Sequence, residues 1–201
     1  MVKYLNCYGP DFSQRDAHPL VDELFVQRWS PRSFTKTPIA PEDLATIIEA
    51  ARWAPSAYNE QPWRILTSTE ESFATFLELL VESNQRWAKD ASVLGFLMAK
   101  KNFTLNGQPN PWAQFDCGAA WMSLTLQARK LGLYTHGMAG IKKEEIYKVF
   151  QINQDEYQVM AGFAMGVLGQ RDNLDPPYFD WETPSSRKTI QEIWQEDRWS
   201  E

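Results

Sequence analysis

The sequence predicts a single domain in which helices and strands are mixed, and three observations support this. The chain has 201 residues, enough for one domain with a sizeable core. Residues 41–54 carry apolar side chains at helical spacing and end at a proline. Residues 92–99 form a continuous apolar run, which is typical of a fully buried strand. We therefore expect residues 1–201 to form one domain.

The first half of the chain is predicted to contain an N-terminal arm, three helices and two strands. In chain order these are the arm 1–18, helix 19–27, helix 41–54, strand 63–68, helix 70–84 and strand 92–99. The second helix has the clearest boundaries, because Pro41 suits its first position and Pro55 ends it. Glu42 and Asp43 follow where the helix dipole favours acids.

The second half is predicted to begin with a loop or lid over residues 102–111, where Asn-Gly, Pro-Asn and Asn-Pro pairs mark turns. Helix 115–131 is apolar on nearly every side, which indicates burial within the core or against a second subunit. After it we expect a strand near Leu133, a helix over 142–150 and a strand over 158–168. The tail, residues 169–201, has three prolines, three tryptophans and one predicted short helix, so we expect an arm lying over another surface.

Composition argues against several classes of protein. The net charge of −6 disfavours general nucleic-acid binding, which needs a basic surface. Two distant cysteines and two histidines are too few for the usual zinc sites. No apolar run approaches the roughly 18 residues of a membrane helix, and no basic-then-apolar leader opens the chain, so we expect a soluble cytoplasmic protein. The common motifs of hydrolases and kinases are missing too.

The segment after the first helix is a candidate for phosphate binding. Arg28 and Arg32 stand four residues apart, and the hydroxyls of Ser30 and Ser33 lie between and after them. Such groups can converge on one phosphate through charge-assisted hydrogen bonds. Arg187 can add a third positive charge. The alternative for each arginine is a solvated surface position, which is the common state.

The loop between Pro55 and Pro62 is a candidate for binding a flat ligand. Ser56, Asn59 and Gln61 offer donors and acceptors, and the two prolines stiffen both ends. Such a loop suits the polar edge of a planar heterocycle. The alternative is a rigid turn in which Asn59 caps backbone groups.

Two further segments carry weaker signals. Residues 84–92 form a polar helix end just before the buried strand. Residues 137–140 begin and end with glycine, so a backbone there can approach a flat ligand closely, or the pair can simply make a turn.

Taken in order, these segments resemble the FMN-dependent nitroreductase family, from about Leu24 to Ile190. The family's Arg-x-Ser-x-Arg motif with a following aromatic residue stands at 28–34. Its loop Ala-Pro-Ser-x-x-Asn-x-Gln-Pro-Trp stands at 54–63. The other matching positions are Asn84, residues 90–92, residues 137–140 and Arg187.

Three positions depart from the family pattern. Trp87 stands where some relatives carry a lysine, and Ser185 stands where a lysine often precedes the final arginine. Ala139 replaces an acidic residue found in some relatives. Since nearby charge tunes a bound flavin, these changes put the reduction potential and the nicotinamide preference in question.

The resemblance implies an α+β fold of three layers, in which a central, mainly antiparallel sheet is surrounded by helices. It also implies a homodimer with two FMN sites, each built from both subunits. The C-terminal arm, residues 169–201, would embrace the partner, and helix 115–131 would pack across the dimer. Residues 55–59 would then complete the partner's site, opposite residues 28–32.

The resemblance also implies the residues of the site. Those expected to bind the cofactor are Arg28, Trp29, Ser30, Arg32, Pro55, Ser56, Ala57, Asn59, Asn84, Trp87, Gly137, Met138, Ala139, Gly140 and Arg187. Those expected to line the substrate face are Tyr58, Phe103 and Trp112. No catalytic side chain and no metal are expected, because the flavin carries the chemistry.

The implied activity is a ping-pong cycle in which NADH or NADPH gives hydride to flavin N5. A small-molecule oxidant such as a nitroaromatic or a quinone then takes the electrons. One alternative is an FMN enzyme of the same fold with another reaction, such as dehalogenation or azoline oxidation. The other is a flavin-binding protein without catalytic activity.

Overall fold

A five-stranded antiparallel sheet forms the centre of the molecule in the computed structural model, which describes residues 2–198. Its strands are β1 (Phe34–Thr35), β2 (Trp63–Thr67), β3 (Val93–Lys100), β4 (Tyr134–Met138) and β5 (Tyr157–Leu168). They run in the order β1-β5-β3-β2, and β4 also pairs with β5. Each of these pairings is antiparallel, so the predicted type of sheet is confirmed.

Helices surround this sheet. In chain order they are α1 (Glu23–Gln27), α2 (Pro41–Arg52), α3 (Phe73–Glu78), α4 (Glu82–Ala88), α5 (Ala113–Leu131), α6 (Lys143–Val149), α7 (Tyr178–Trp181) and α8 (Ile190–Ile193). Short 3₁₀ turns cover Ala57–Asn59 and Arg171–Asn173. Pro41 begins α2, as predicted, and acids fill its first turn.

The central strand β3 separates two hydrophobic cores. Successive residues of a strand face opposite sides of its sheet. Phe96 stacks on Phe76 of α3, with 5.3 Å between ring centroids. Its neighbour Leu97 faces the other side and joins a cluster with Ile47 of α2 and Ala120 of α5. The sheet is thus covered on both faces, which confirms the predicted three-layer α+β fold.

The helix predicted over residues 70–84 is divided into α3 and α4. Between them Leu80 forms a bridge with Ile141, and the Val81 N–H donates to the Gly140 carbonyl at 3.1 Å. Val81 has extended dihedral angles, which a continuous helix cannot contain. A contact distant in sequence therefore decides where the helix breaks.

Smaller differences occur at other helices. α1 begins at Glu23 rather than at residue 19, because the Asp22 side chain accepts the Leu24 N–H and caps the helix there. In the tail, α7 was not predicted, whereas α8 is the short helix expected after Ser186.

The long helix α5 is buried along one face only. It ends at Gly132, whose φ of 99° is left-handed and suits glycine. Its buried apolar residues are Ala113, Cys117, Ala120, Leu124 and Ala128. On another side Phe115 is 77% exposed and Met122 is 36% exposed, so a second covering surface stays a prediction. Within residues 2–198, no helix is both long and apolar enough to cross a membrane.

The N-terminal arm packs against α2 and α5. The N–H groups of Lys3 and Tyr4 both donate to the Leu131 carbonyl at 3.0 Å. The Lys3 ammonium lies 2.5 Å from one oxygen of Asp43, and the Tyr4 hydroxyl donates to the other at 2.9 Å. These contacts fix the start of the arm on the domain surface.

We expect Gly95, in the middle of β3, to tolerate no larger residue. A Cβ atom there would lie 2.7 Å from the Leu66 carbonyl oxygen and 2.3 Å from Cζ of Phe163. Gly95→Ala should therefore lower the free energy of unfolding by about 1–3 kcal/mol. Gly9→Ala is the matched control, since a Cβ there meets nothing within 4 Å, and it should change stability by less than about 0.5 kcal/mol. Urea unfolding followed by tryptophan fluorescence measures both, and equal stabilities would contradict the packing.

Candidate functional site

A polar pocket of about 290 Å³ lies where four parts of the chain meet. These parts are the N-terminal arm, the segment between α1 and β1, strand β4, and the segment around and after α7. The lining residues are Arg15, Arg28, Trp29, Ser30, Arg32, His136, Trp181, Thr183, Ser185 and Arg187. Four of these are arginines and none is acidic, so the pocket is strongly positive.

The arginines lie among hydroxyl groups. Nη1 of Arg28 donates to Oγ of Ser30 at 3.3 Å, and Nη1 of Arg187 donates to Oγ of Ser185 at 3.0 Å. Burial, and then the charge of Arg187, lowers the pKa of Arg28. An arginine nevertheless remains charged at neutral pH. Like charges that line one pocket repel one another, and an anion held between them relieves that repulsion.

A buried carboxylate fixes the backbone that carries Arg32. The Arg32 N–H donates to both oxygens of Glu182, at 3.1 and 2.8 Å, and the Ser33 N–H donates to Oε1 at 2.8 Å. Burial raises the pKa of Glu182, and these hydrogen bonds partly oppose the rise. The Arg32 guanidinium lies over the Trp181 ring, 5.5 Å from its centroid. Glu182 therefore orients Arg32 without itself lining the pocket.

His136 lines the same pocket, and its imidazole is uncharged at neutral pH. Its Nδ1 lies 2.9 Å from the Pro31 carbonyl oxygen, and its ring centroid lies 4.5 Å from that of Trp87. Burial lowers the pKa of His136 to about 4, the bond to Pro31 opposes this, and the charges of Arg32 and Arg28 add to it. A neutral imidazole with Pro31 as its acceptor carries the proton on Nδ1.

The loop predicted to bind a flat ligand has a strained backbone. Tyr58, Asn59 and Gln61 have φ angles of 52°, 55° and 51°, in the left-handed region that non-glycine residues rarely occupy. Each such residue costs on the order of 1–3 kcal/mol and persists only where its surroundings fix it. Here the Ala57 N–H donates to Oδ2 of the buried Asp116 in α5, at 3.1 Å. Strain of this kind gathers at binding sites, so the loop is a second candidate region.

An apolar cavity of about 200 Å³ is also bordered by β4. Its lining residues are Leu97, Gln114, Cys117, Gly118, Trp121, Gly137, Met160, Ala161, Gly162 and Phe163. Adjacent strand residues face opposite sides, so His136 meets the polar pocket whereas Gly137 meets this cavity. A Cβ at Gly137 would lie 3.3 Å from the Trp121 ring, so glycine keeps the cavity open there.

Comparison with known proteins assigns the chain to a family. The model of the nitroreductase family matches residues 25–86 and 69–167, which is more than half of the chain. The chain belongs to the nitroreductase family. A solved structure described as an oxidoreductase containing FMN has 41% identity and a TM-score of 0.88, covering 92% of this chain and 96% of that one.

Two named relatives are also similar to this nitroreductase-family protein. A Streptomyces coelicolor protein, named as a proposed NADH dehydrogenase/NAD(P)H nitroreductase, is 29% identical over 78% of this chain and 85% of the relative. The major NAD(P)H-flavin oxidoreductase of Aliivibrio fischeri is 19% identical over 88% of this chain and 97% of the relative.

The polar pocket of this nitroreductase-family protein unites one group of predicted cofactor residues. These are Arg28, Trp29, Ser30, Arg32 and Arg187. A second predicted group does not line the pocket within one chain, and it consists of Pro55, Ser56, Ala57 and Asn59. Since this second group belongs to the strained loop, a site shared between two subunits stays a prediction.

The predicted segment 137–140 borders the apolar cavity at Gly137 and directly follows His136 of the polar pocket. Nδ2 of Asn84 donates to the Gly140 carbonyl at 3.0 Å, so Asn84 holds this backbone in place. Gly137 and Ala139 are exposed, whereas Met138 is buried in the core. The side chain of Met138 therefore belongs to the core and does not line either pocket.

Trp87 is buried in the core beside His136. Its side chain is 2% exposed and is stacked between Phe34 and His136. Trp87 does not line the polar pocket within one chain, so its contact with the cofactor stays a prediction. Its ring packs against the imidazole of His136, which does line the pocket.

The predicted substrate-face residues lie at the surface. Tyr58 is 91% exposed and packs edge-on against Phe103, with 5.7 Å between ring centroids. Trp112 is also exposed, and within residues 2–198 it has no ring contact with that pair. The structure therefore unites two of the three.

Four site residues were missed by sequence reasoning, namely Arg15, Asp116, His136 and Glu182. None lies in a recognisable motif. Asp116, His136 and Glu182 also belong to segments that are distant in sequence from the arginine motif. Among residues 2–198, no group of three or more His, Cys, Asp or Glu residues is placed to hold a metal.

We expect His136 to make stability depend on pH. The unfolded chain binds this proton near pH 6.5, whereas the folded protein binds it near pH 4. Stability from the neutral imidazole is therefore complete above about pH 6.5 and is lost as the pH falls towards 4. The loss between pH 7 and pH 5 should be about 2 kcal/mol.

Urea unfolding of flavin-free protein at these two pH values, with His136→Asn as the comparison, measures this loss. The variant should lose about 2 kcal/mol less than the wild type over the same interval. The chain has two histidines, so NMR titration with the same variant identifies the His136 signal. A pKa near 6.5 in the folded protein would contradict the assignment.

Proposed function

We propose that this protein is an FMN-dependent oxidoreductase that takes hydride from NADH or NADPH. It passes the electrons to nitroaromatics, quinones or similar small oxidants. The observation that carries this proposal is the pocket of four arginines and no acid, whose His136 directly precedes the exposed Gly137. The names of the relatives, which include a flavin oxidoreductase and a nitroreductase, support it.

The donors of the polar pocket fit the phosphate of FMN. Arg28, Arg32 and Arg187 supply charge and forked N–H groups that match phosphate oxygens. Ser30 adds a hydroxyl for the phosphate or for the ribityl chain. Glu182 holds Arg32 in position, as its hydrogen bonds to the backbone show.

The ring of the flavin would lie along residues 137–140. The exposed Gly137 lets a flat ring approach the backbone, and Asn84 fixes Gly140. When bound, the flavin supplies acceptance of hydride at N5 and its delivery to an oxidant. The chain's own residues bind and orient, and Tyr58 with Phe103 offers an aromatic surface on which a flat oxidant can stack.

No side chain is assigned to covalent chemistry. Burial raises the pKa of Cys117 to about 12, so its thiol is a poor nucleophile. Both cysteines, Cys7 and Cys117, are free thiols, which fits the reducing cytoplasm that we propose as the location.

A homodimer would bring the strained loop to the partner's pocket. The tail and α5 carry apolar side chains that a single chain leaves exposed, including Phe115, Trp181, Ile193 and Trp194. Residues 55–59 lie outside the polar pocket of their own chain. One isologous interface would cover these apolar side chains and would also bring the loop of each subunit to the pocket of its partner.

Flavin binding tests the phosphate assignment. Purified protein should be yellow or become so with FMN, and Arg28→Ala with Arg32→Ala should raise the dissociation constant for FMN at least about 100-fold. Arg52→Ala, on the exposed face of α2, should leave it unchanged. Fluorescence titration measures all three, and unaltered affinity in the double variant would contradict the assignment.

Reduction kinetics test the activity. Anaerobic stopped-flow addition of NADH or NADPH should bleach the flavin absorbance, and a nitroaromatic such as nitrofurazone should restore it. Flavin that neither nucleotide bleaches would favour a binding protein. Bleaching without turnover of nitro compounds or quinones would favour another reaction of the same fold.

Subunit mixing tests the shared site. The double variant Arg28→Ala, Arg32→Ala lacks a phosphate pocket, and Asn59→Ala with Gln61→Ala alters the loop. Each should be impaired alone. After unfolding and refolding as an equal mixture, half of the dimers are hybrids with one intact site of two, so activity should recover to about a quarter of the wild-type value. No recovery would place loop and pocket of each site in the same subunit.

A further inference from the structure

We propose that Arg15, in the N-terminal arm, is a further residue of the anion site. It ties together the two chain segments that carry Arg28 and Arg187, and it presents a guanidinium nitrogen to the bound phosphate. The identity of that phosphate as part of FMN rests on the proposed function, whereas the anion site itself rests on the pocket.

The guanidinium of Arg15 joins segments that are far apart in sequence. Its Nη1 donates to the carbonyl of Arg28 at 2.8 Å and to that of Val26. Its Nε donates to the carbonyl of Ser185 at 3.1 Å. One side chain thus fixes the distance between the motif that follows α1 and the segment that ends in Arg187.

The remaining nitrogen of Arg15 has no partner in the described chain. Nη2 is buried and donates a hydrogen bond to no acceptor among residues 2–198, and no carboxylate there forms an ion pair with Arg15. Buried polar groups are nearly always paired. Since Arg15 lines the polar pocket, a phosphate oxygen in that pocket would supply the missing acceptor.

The charge of Arg15 persists despite its surroundings. Burial, followed by the charges of Arg187 and Arg28, lowers the pKa of Arg15 to about 10, so it is still protonated at neutral pH. A lysine would keep this charge but could not reach the carbonyls of Arg28 and Ser185 with separate, fixed nitrogens. Arg15→Lys therefore keeps the positive charge but removes the hydrogen bonds that join the two segments, so the two roles of Arg15 can be tested separately.

The test compares two ligands that share a ring but differ in phosphate. FMN and riboflavin are titrated into flavin-free wild type, Arg15→Lys, Arg15→Gln and Arg15→Ala. In Arg15→Ala the dissociation constant for FMN should rise at least about tenfold, and that for riboflavin should change less than about threefold. Arg15→Lys should fall between wild type and Arg15→Ala.

Lys3→Ala is the matched control, because it loosens the arm at Asp43 without reaching the pocket. It should leave both dissociation constants unchanged. Equal weakening of FMN and riboflavin by Arg15→Ala, or unchanged FMN binding, would overturn the proposal. If Arg15→Ala does not fold, Arg15→Gln decides by the same criteria.

Failure of the proposed function gives a different result. If the wild type binds neither FMN nor riboflavin, that function is wrong. Inorganic phosphate and pyrophosphate should then still raise the melting temperature of the wild type, and should do so much less for Arg15→Gln. No shift in the wild type, or the same shift in both proteins, would overturn the assignment of Arg15 as well.

Discussion

The antiparallel pairing of β5 with three other strands is the interaction on which the site depends. β5 pairs with β3 in the centre of the sheet, with β4, and with the short β1. Pairing with β1 fixes the end of the arginine motif, because Phe34 is opposite Leu168. Pairing with β4 fixes Gly137 opposite Phe163, directly beyond His136. One strand thus sets where the positive pocket lies relative to the backbone on which a flat ligand would rest.

The positive charges of the pocket are not neutralised by any acidic side chain of its lining. Four guanidinium groups line it, its histidine is neutral, and the nearest buried acid, Glu182, is turned to backbone N–H groups. No lining side chain therefore carries negative charge, and the protein leaves the four positive charges of the pocket without a counterion in its lining. A pocket of this kind is preorganised for an anion. The repulsion between its guanidinium groups is overcome when the protein folds, before any anion binds.

Much of the fold could be predicted from local patterns, whereas part of the site could not. The apolar run of β3 and the proline boundary of α2 are local signals, and both elements formed as expected. The break between α3 and α4 depends on Ile141 and Gly140, more than 50 residues away in sequence, so no local periodicity reveals it. Arg15 and Glu182 meet the arginine motif only after the arm and the tail have folded over it. The sequence motif identified Arg28, Ser30 and Arg32, whereas Arg15 and Glu182 could be identified only from the tertiary structure.

The left-handed backbone of the loop has a consequence for evolution in the laboratory. Glycine adopts positive φ without a steric penalty, yet Tyr58, Asn59 and Gln61 all retain side chains. A screen that selects only for heat resistance would be drawn to these positions, because relief of strain is among the easier routes to greater stability. The stabilised proteins would lose the side chains that the loop displays. In the proposed site, thermal stability and ligand recognition would therefore depend on the same few residues.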